Sequence, residues 1–477
     1  NGEEPGRTAA ESFGFPKPLL QVKNRLAVFF NRQTTAQKRE QSIQDVPIAV
    51  SAFDSAFLDD AGVDDVLELQ FFVPGLTIYN NQSASQTNFN IRGVGTAGNS
   101  LSLESSVGIY VDGVYIGRSV GSLFDVVDLE SIEVLRGPQG TLYGRNTIGG
   151  AIKLTSVKPQ FENGGELSAT FGNFDRQEFK ATVNAALSDR TAIRVTGFSR
   201  QRDGFHELRP NGAQAQNARD DVGALDSYAV RAALYHEFND DWNLLVAFDH
   251  TDDGSDPIPD SIAPGNDADN DIFTIEPLPG TTCAAGGLLP LGCFSNYDQE
   301  LKSRGVMARL EGVIGGLDFT SISAYRELED ELSTRIGFPY LQETDQHQFS
   351  QEFTIGQTGQ SALDWIAGLY IFQEDIALDT VFIFPFAIDS STNSVALFGQ
   401  GTYSVNDQLS ITAGARATID DKNFDGVGPF GFARTDDAEF ENISYTIGAD
   451  YRFNDDILGY AKYSTGFKSG GWNARGT

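Results

Sequence analysis

Basic residues are scarce in this sequence. Of its 477 residues, 34 are Lys or Arg and 66 are Asp or Glu, which gives a formal net charge of −32 at pH 7. The pI is near 4.3. Phosphate binding needs a basic face, so we expect no nucleic-acid partner.

Signatures of catalysis are also missing. No G-x-S-x-G elbow appears with its catalytic partners, and the glycines do not form a phosphate-binding loop. Carboxylates are plentiful but are not paired by any local spacing. The histidines have no metal-ligand spacing, and they are His206, His236, His250 and His347. We therefore expect a protein that is not an enzyme and that requires no cofactor.

Cysteine is limited to Cys283 and Cys293. The two lie close together in the most irregular segment of the chain, a spacing that suits one loop-closing disulfide in an oxidising compartment. Nothing nearby resembles a zinc site. A pair of free or buried thiols is the alternative. We predict the disulfide, and full alkylation of both thiols in the folded, unreduced protein would contradict it.

Long apolar runs are absent as well. No stretch of eighteen apolar residues occurs, which excludes a transmembrane helix. A charged, Pro-containing segment stands at Asn1 in place of a secretory signal, so we expect that a signal was removed or that the chain begins late. Residues 1–34 show no clear period, and we interpret them as disordered or poorly defined.

Glycine and aromatic residues are abundant instead. The 50 Gly, 35 Phe and 15 Tyr suit many strands joined by turns. From about residue 44 to residue 159 the pattern is mixed α/β, with a predicted strand at Val46–Phe53. Short helices are predicted at Ser55–Ala61 and Asp64–Phe71, each capped by its first residue. Asp112 and Gly113 lie between two β-branched and aromatic runs and predict a two-residue hairpin.

From Glu166 onward, apolar and polar residues alternate with a period of two. About thirteen such segments follow, each of roughly ten residues, which is enough at about 3.3 Å per residue to cross a bilayer when tilted. Short connections such as Gly315–Gly316 alternate with long ones at 201–225, 251–303, 377–392 and 420–441. Outer-membrane barrels have short periplasmic turns and long extracellular loops, so this asymmetry favours a barrel. A soluble β-sandwich with variable loops is the alternative.

Aromatic residues lie beside the predicted tight turns. They are Phe238, Trp242, Tyr403 and Phe453. An aromatic girdle at a membrane interface is typical of outer-membrane barrels.

A Gly-rich run separates the mixed region from the alternating one. It reads VLRGPQGTLYGRNTIGG from Val134 to Gly150 and contains five glycines and one proline. Glycine tolerates positive φ and close backbone approach, so this composition predicts a tight, packed, non-helical crossing. An ordinary Gly-rich surface loop is the alternative.

Around this run the sequence resembles the TonB-dependent outer-membrane receptor family, and its ferric-siderophore receptors in particular. The matching runs are VPIAVSAF from Val46, NIRGVG from Asn90, VGIYVDGVYIGR from Val107, IEVLRGPQGTLYGRNTIGGAIKLTSVKP from Ile132, and STGFKSGGWNAR from Ser464, which looks like a barrel segment. The resemblance implies a mixed α/β plug domain at residues 35–159, followed by a large antiparallel transmembrane β-barrel at residues 160–477. The plug-motif residues are Arg136, Gly137, Gly140, Tyr143, Gly144, Arg145, Asn146, Gly149 and Gly150.

The same resemblance implies a function and a set of partners. The family takes up scarce, bulky substrates across the bacterial outer membrane, and its plug blocks the barrel until TonB, driven by the inner-membrane ExbB–ExbD motor, pulls on it. A ferric siderophore is the expected substrate. Cobalamin, haem and oligosaccharides are alternatives within the family, and a non-gated porin or adhesin is the alternative outside it. Outer-membrane lipid is the other expected partner.

Two departures from the family pattern stand out. The family carries a short, usually acidic and β-branched TonB-contacting box just before the position of Thr35, where this chain has LAVFFNRQT from Leu26. About thirteen strands are also fewer than the roughly 22 of the plugged transporters. We therefore expect a partial barrel, truncated at Thr477.

Individual residues receive roles from these interpretations. Glu133, Arg136 and Arg145 suit ion pairs that hold the plug against a polar barrel wall, with solvated surface charge as the alternative. Candidate ligand contacts in the outward-facing plug loops are Asn80, Gln82, Thr96, Asn99 and Tyr115.

One acidic row is a calcium candidate. Asp267, Asp269 and Asp271 form a D-x-D-x-D sequence. An EF-hand loop needs Gly at its sixth position and Glu at its twelfth, where this chain has Ile272 and Leu278. A solvated acidic loop is therefore the favoured interpretation.

Overall fold

The fold is taken from a computed structural model of the chain. It describes residues 33–38, 41–63, 65–80, 87–96, 104–118, 128–208, 219–257, 272–273, 298–336, 338–357, 361–382, 384–454 and 457–472. Residues 1–32 of the predicted disordered segment, the TonB-contacting segment before Gln33, the calcium candidates, the two cysteines, Gln82 and Asn99 lie outside these residues. The last two residues of the predicted disordered segment, Gln33 and Thr34, form a short strand instead. Within the described ranges, no helix has the length and apolar character needed to cross a membrane.

The N-terminal unit, from residue 33 to residue 159, combines short strands with short helices, as its mixed pattern predicts. Its main sheet has the order β3-β9-β10-β7-β8, in which β10 runs parallel to β7 and antiparallel to β9. The strands are β1 (Gln33–Thr34), β2 (Gln41–Ser42), β3 (Val50–Asp54), β4 (Leu76–Asn80), β5 (Thr87–Ile91), β6 (Val94–Gly95), β7 (Val107–Val111), β8 (Val114–Ile116), β9 (Leu129–Arg136) and β10 (Gly150–Ser156). The helices are the α-helix α1 (Ser55–Ala61) and the 3₁₀ helices η1 (Ile43–Asp45) and η2 (Val66–Phe71).

The hairpin between β7 and β8 is confirmed. Asp112 and Gly113 have φ of 51° and 87°, and β7 pairs with β8 directly across this two-residue turn. Positive φ at both central residues is the geometry that matches the right-handed twist of the strands.

The local boundaries before residue 80 differ from the prediction. The predicted strand at Val46–Phe53 begins only at Val50, and residues 46–49 connect the 3₁₀ helix Ile43–Asp45 to it. The first helix is capped by Asp54, whose carboxylate accepts from the Phe57 amide at 2.8 Å, and not by Ser55. The second is the 3₁₀ helix η2, capped by Asp65. Adjacent polar residues compete for the cap position, and backbone geometry selects one of them.

The C-terminal region contains a 13-stranded antiparallel sheet, as the alternation predicts. Its strands follow in chain order, apart from the small outlying strands β14 (His206–Leu208), β15 (Arg219–Val222) and β18 (Ile272–Phe273). The sheet strands are β11 (Gly164–Phe171), β12 (Gln177–Ser188), β13 (Thr191–Arg202), β16 (Leu225–Glu237), β17 (Trp242–Asp253), β19 (Asp298–Ile314), β20 (Leu317–Ile336), β21 (Phe338–Gln357), β22 (Leu363–Phe382), β23 (Phe384–Ser404), β24 (Leu409–Val427), β25 (Ala433–Asn454) and β26 (Ile457–Ser464). The 3₁₀ helix η3 (Pro429–Gly431) joins β24 to β25.

Two predicted long loops are wrong. Residues 377–392 and 420–441 are almost entirely strand, and the backbone pairing of β22 with β23 extends to the register pair Phe382–Phe384. In these segments the outward-facing residues are polar, so the alternation of apolar and polar residues is lost. Their sequences therefore resemble loops. The hydrogen-bond ladder continues beyond the apolar band regardless, so strands of 19 to 22 residues replace the predicted ten.

The two faces of the sheet differ in chemistry. Large apolar side chains point outward, including Leu397 at 67 % and Ile443 at 70 % exposure. Polar side chains such as Thr196, Thr334 and Asp420 point inward and are fully buried. The N-terminal unit packs against this inner face, where its Tyr110, Tyr115 and Tyr143 share an apolar cluster with Phe372 and Phe398 of the sheet.

Candidate functional site

The Gly-rich run Val134–Gly150 crosses the interior between the N-terminal unit and the sheet. A Cβ added at Gly144, where φ is +89°, would meet the Arg416 guanidinium of β24 at 2.7 Å, and one at Gly150 would meet the Leu135 carbonyl at 2.1 Å. Such spacing leaves no room for a side chain. The run is a packed crossing, and the surface-loop alternative is wrong.

Asn146 is the hydrogen-bonding centre of this run. It is fully buried with φ of 63°, and its amide donates to Glu104 Oε2 at 2.7 Å and to the Tyr115 hydroxyl at 3.1 Å. Its side-chain oxygen accepts from the Ser469 amide, and its own backbone N–H donates to the Phe467 carbonyl. One residue thus joins the loop before β7, β8 and the segment that follows β26.

The segment that follows β26 leaves the sheet. The run that resembles a barrel segment begins at Ser464, where β26 ends, and residues 465–472 form no strand. Trp472 stacks on Phe424 with ring centroids 5.3 Å apart, and Lys422 donates to the Gly470 carbonyl at 2.8 Å. Glycine weakens a strand and permits close backbone approach, and this glycine-containing run packs against both β24 and the N-terminal unit.

Arg145 lies between two buried carboxylates. Its Nη1 is 3.3 Å from Glu104 and 3.8 Å from Asp420 of β24, and its guanidinium stacks over the Phe372 ring at 4.4 Å. Burial alone would lower the pKa of Arg145, but the two carboxylates reverse this effect and raise it. The predicted residue therefore contacts both the N-terminal unit and the sheet.

Glu104 was missed by sequence reasoning. Burial opposes its ionisation, but Arg145, Lys422 and Arg118, with a hydrogen bond from Asn146, lower the pKa of its carboxyl to about 2. Lys422 of β24 lies 3.1 Å away. A usable signal did exist, since Glu104 is the single charged residue between Arg92 and Asp112.

A second buried ion pair lies beside the first. Arg118 donates to both carboxylate oxygens of Glu374 on β22, at 2.9 and 2.7 Å, and both side chains are almost fully buried. Gln346 donates to the same carboxylate at 2.9 Å, and Gln348 bridges the Gly117 amide and the Tyr115 carbonyl. This bidentate geometry is the strongest form of an arginine–carboxylate contact.

Four further ion pairs join the N-terminal unit to different strands of the sheet. They are Lys38–Glu352 at 2.5 Å, Asp45–Arg452 at 2.6 Å, Asp112–Arg231 at 2.9 Å, and Asp128–Arg194, in which Arg194 Nε donates at 2.7 Å. None of these four was predicted from the sequence, because each joins residues distant in the chain.

Two predicted ion-pairing residues lie elsewhere. Glu133 pairs with Lys153 at 2.9 Å within the same unit, because β9 and β10 place them directly opposite one another. Arg136 Nη1 donates to the Pro74 carbonyl at 3.4 Å, and burial together with neighbouring Arg92 lowers the pKa of Arg136.

The described ligand candidates occupy different environments. Asn80 accepts from the Thr87 hydroxyl at 3.0 Å, and Thr96 donates to the Glu104 carbonyl at 3.3 Å. Tyr115 is buried, so its side chain is not accessible to a ligand from outside. The same burial raises the pKa of its hydroxyl to about 12. Within the part of the chain that the structure describes, no three His, Cys, Asp or Glu side chains are grouped to hold a metal ion.

Two family models match parts of this chain. Residues 42–151 match the family model described as TonB-dependent Receptor Plug Domain, and residues 295–477 match the one described as TonB dependent receptor-like, beta-barrel. The ferrioxamine B receptor of Salmonella typhimurium is 33% identical over 231 residues, which are 46% of this chain and 30% of that protein. The pesticin receptor of Yersinia pestis is 28% identical over 177 residues, 37% of this chain and 26% of its own length.

Solved structures share the fold. The ferric yersiniabactin uptake receptor from Yersinia pestis aligns with a TM-score of 0.76 at 21% identity, over 90% of this chain and 66% of that chain. The ferripyoverdine receptor of Pseudomonas aeruginosa aligns with a TM-score of 0.70 at 17% identity, over 93% and 60%. The chain thus covers less than two thirds of the length of these relatives.

A mixed unit packed into the polar inside of a lipid-facing sheet defines the class of plugged outer-membrane β-barrels. The chain belongs to the TonB-dependent receptor family, as its sequence resemblance predicts. This family consists of transport receptors of the bacterial outer membrane and not of enzymes. From here the N-terminal unit is called the plug and the sheet the barrel wall.

Proposed function

We propose that this chain takes part in the active uptake of a ferric siderophore across the outer membrane, gated by the plug. The observation that carries the proposal is the set of buried plug-to-wall ion pairs, above all Arg118–Glu374. These contacts hold the plug against the wall at points that can separate without breaking the wall's own hydrogen-bond ladder. A gate of this kind needs an energy source, which we assign to TonB and the ExbB–ExbD motor.

The substrate class is supported by what the similar proteins are named for. Ferrioxamine B, ferric yersiniabactin and ferripyoverdine are all iron chelates of siderophores. Ferric iron is the cargo here and not a resident cofactor.

Uptake of labelled chelates tests the substrate. The gene for the intact receptor is disrupted, and ⁵⁵Fe accumulation is measured for ferric hydroxamate, catecholate and phenolate siderophores, with cyanocobalamin and haemin as further arms. We expect loss of one ferric chelate, restored by the wild-type gene in a strain with TonB but not in one without it. Normal uptake of every iron chelate, with loss of cobalamin or haem uptake, would refute the siderophore assignment.

Deleting the plug tests the gate. Removal of residues 44–159 from the intact receptor should convert a closed channel into an open one in planar bilayers. The matched control carries Asp240→Ala, which removes an exposed ion pair with Arg190 in the wall and leaves the plug-to-wall ion pairs in place. Equal conductance of the deletion variant and the wild type would contradict gating and favour an adhesin.

A further inference from the structure

The chain that follows β26 turns inward to the plug instead of continuing along the wall. β25 has 22 residues, whereas β26 has 8 and leaves β25 at the pair Thr446–Ser464. Beyond that pair the Thr465 amide donates to the Tyr445 carbonyl at 2.9 Å, and the Thr465 hydroxyl accepts from the Tyr445 amide at 2.8 Å. These two bonds fix the place where the chain leaves the wall. We call residues 465–472 the return segment.

The first half of the return segment lies directly against the Gly-rich run of the plug. A Cβ added at Gly140 would lie 2.9 Å from the Cα of Gly466. The Asn146 amide donates to the Phe467 carbonyl at 2.8 Å, and the Ser469 amide donates to the Asn146 side chain at 3.1 Å. Glycine permits this close approach of two backbones. The return segment is therefore docked on the plug through its own main chain.

A ring of polar contacts joins the return segment to two further parts of the molecule. Lys422 of β24 donates to the Gly470 carbonyl at 2.8 Å and lies 3.1 Å from Glu104. Glu104 accepts from the side chain of Asn146 at 2.7 Å, and Asn146 accepts from the Ser469 amide, which closes the ring. Lys422, Glu104 and Asn146 are almost fully buried. Buried polar groups are costly to leave without a partner, so a displacement of the return segment disturbs the whole ring.

The far end of the return segment lies near the extracellular end of the wall. Short connections face the periplasm, and those that follow β23 and β25 place Val427 and Ala433 at the extracellular ends of β24 and β25. Close to these ends, Trp472 stacks on Phe424 with ring centroids 5.3 Å apart. Its indole N–H donates to Asp436 of β25 at 3.0 Å. The return segment thus spans the distance from the Gly-rich run to the extracellular part of the lumen.

The two ends of the return segment are held unequally. Ser469 is buried inside the ring, whereas Trp472 is half-buried and its hydrogen bond goes to the Asp436 carboxylate, which is 39% exposed. Such a bond competes with water and adds little to stability. Trp472 also packs against an apolar cluster of inward-facing side chains, which are Leu301, Leu328, Ile376, Leu378, Ile388 and Phe424. Sites for bulky small molecules combine apolar and aromatic walls with a few polar groups, so this end of the segment suits contact with a cargo.

We propose that Trp472 is a cargo contact and that the return segment transmits its displacement to the plug. A ferric chelate seated against the indole draws Trp472 away from Phe424, and the backbone at Ser469 moves with it. Asn146 and Lys422 then each lose a hydrogen-bond partner, which loosens the Gly-rich run. This inference rests on the proposed function, because it assigns a residue that the cargo meets. The route from that residue to the plug is one continuous piece of chain outside the ladder of the wall.

Hydrogen exchange in the intact receptor tests the route without any chelate. The peptide of residues 143–149 contains the Asn146 amide, whose partner is the Phe467 carbonyl. In Trp472→Ala we expect this peptide to exchange roughly 2- to 10-fold faster than in the wild type, which is the factor for the loss of about one hydrogen bond. Trp472→Phe keeps a ring on Phe424 and should restore most of the protection. Trp365→Ala removes the same side chain from the outer face of β22 and should leave the wild-type rate.

A second peptide separates this route from general unfolding. Exchange in β9 of the plug sheet should be the same in Trp472→Ala and in the wild type. An equal rise in β9 and in residues 143–149, or no rise in either, overturns the inference.

The chelate arm uses the ferric siderophore that the wild-type receptor takes up as ⁵⁵Fe, added at saturation. We expect exchange in residues 143–149 to rise in the wild type and to show no further rise in Trp472→Ala, where the segment is already released. Unchanged exchange in the wild type with a transported chelate bound overturns the inference. If the wild type takes up no ferric chelate, the proposed function fails, and the chelate-free comparison still decides whether the return segment connects Trp472 to the plug.

Discussion

The plug and the barrel wall use the same residue types in opposite ways. The plug buries Ile132, Ile152 and other aliphatic side chains in its own interior. The wall exposes equivalent side chains such as Ile443 and buries Asp420 and Thr196 instead. The difference arises from the surroundings, because the plug is enclosed by a polar lumen whereas the wall is surrounded by lipid. A hydrophobic pattern therefore identifies the face that avoids water, which is the interior in one region and the exterior in the other.

The two regions meet through buried charges, and breaking one of them should have the largest effect. Glu374→Ala leaves the Arg118 guanidinium buried without its carboxylate, which is expected to cost about 3–5 kcal/mol. Urea titration of the detergent-solubilised receptor, followed by a fluorophore on the plug, measures the loss. Asp240→Ala removes an exposed ion pair with Arg190 and serves as the control, for which we expect no measurable change. A midpoint for Glu374→Ala that equals the control would show that the interface pair does not hold the plug.

The apolar core of the plug should respond next. Ile152→Ala creates a cavity at a fully buried site and is expected to cost about 2–5 kcal/mol of plug stability. Ile443→Ala, on the outer face of β25, removes the same atoms where lipid can fill the space, so plug stability should not change. The same urea titration compares them. Equal destabilisation by both changes would mean that the two regions do not have separate interiors.

Depth in the membrane sharpens the comparison further. Leu397→Arg places a charge on the outer face of β23 and is expected to cost about 2–4 kcal/mol if it lies near the bilayer midplane. Asn393→Arg lies on the same face four residues closer to the outside, and a cost of about 0–1 kcal/mol is expected there. Refolding from urea into lipid vesicles measures both. A larger cost at Asn393 than at Leu397 would place the apolar band elsewhere.

A smaller effect should appear as a dependence on pH. The pKa of the Glu104 carboxyl is lowered to about 2 from its ordinary 4.5, so its ionised form is favoured in the folded plug. Its contribution to stability is complete above pH 4.5 and is lost as the pH falls toward 2. Urea midpoints measured across this range should decline in the wild type and decline less in Glu104→Gln. Identical slopes in the two proteins would contradict the assignment.

Local patterns predicted much of the fold. Asp112–Gly113 specified its hairpin because few residue pairs tolerate two consecutive positive φ angles, and the period of two specified strands in the wall. Strand length was underestimated where the outward residues of β22 to β25 turn polar, since a hydrogen-bond ladder leaves no periodic signal of its own. The Gly-rich run was located, but its packing depends on Arg416, which follows it by hundreds of residues.

The ion pairs between the plug and the wall were harder to predict from the sequence than the fold. Arg145 was a candidate because it lies inside the Gly-rich run, whereas Asp420 and Glu374 are two acidic residues among 66. Only the register of β22 and β24 turns these carboxylates inward. Glu133 was a candidate for pairing with the wall, but it pairs with Lys153, which lies opposite it across β9 and β10.

By itself, the sequence determined that the chain is β-rich, that a mixed unit precedes a sheet with one apolar face, and that it belongs with the TonB-dependent receptors. Those properties follow from local periodicity, turn chemistry and one long Gly-containing run. The tertiary structure alone decided which charges meet. Ion pairs between distant residues leave no local pattern, and the net charge of −32 conceals the few inward-facing side chains that fasten the plug to its wall.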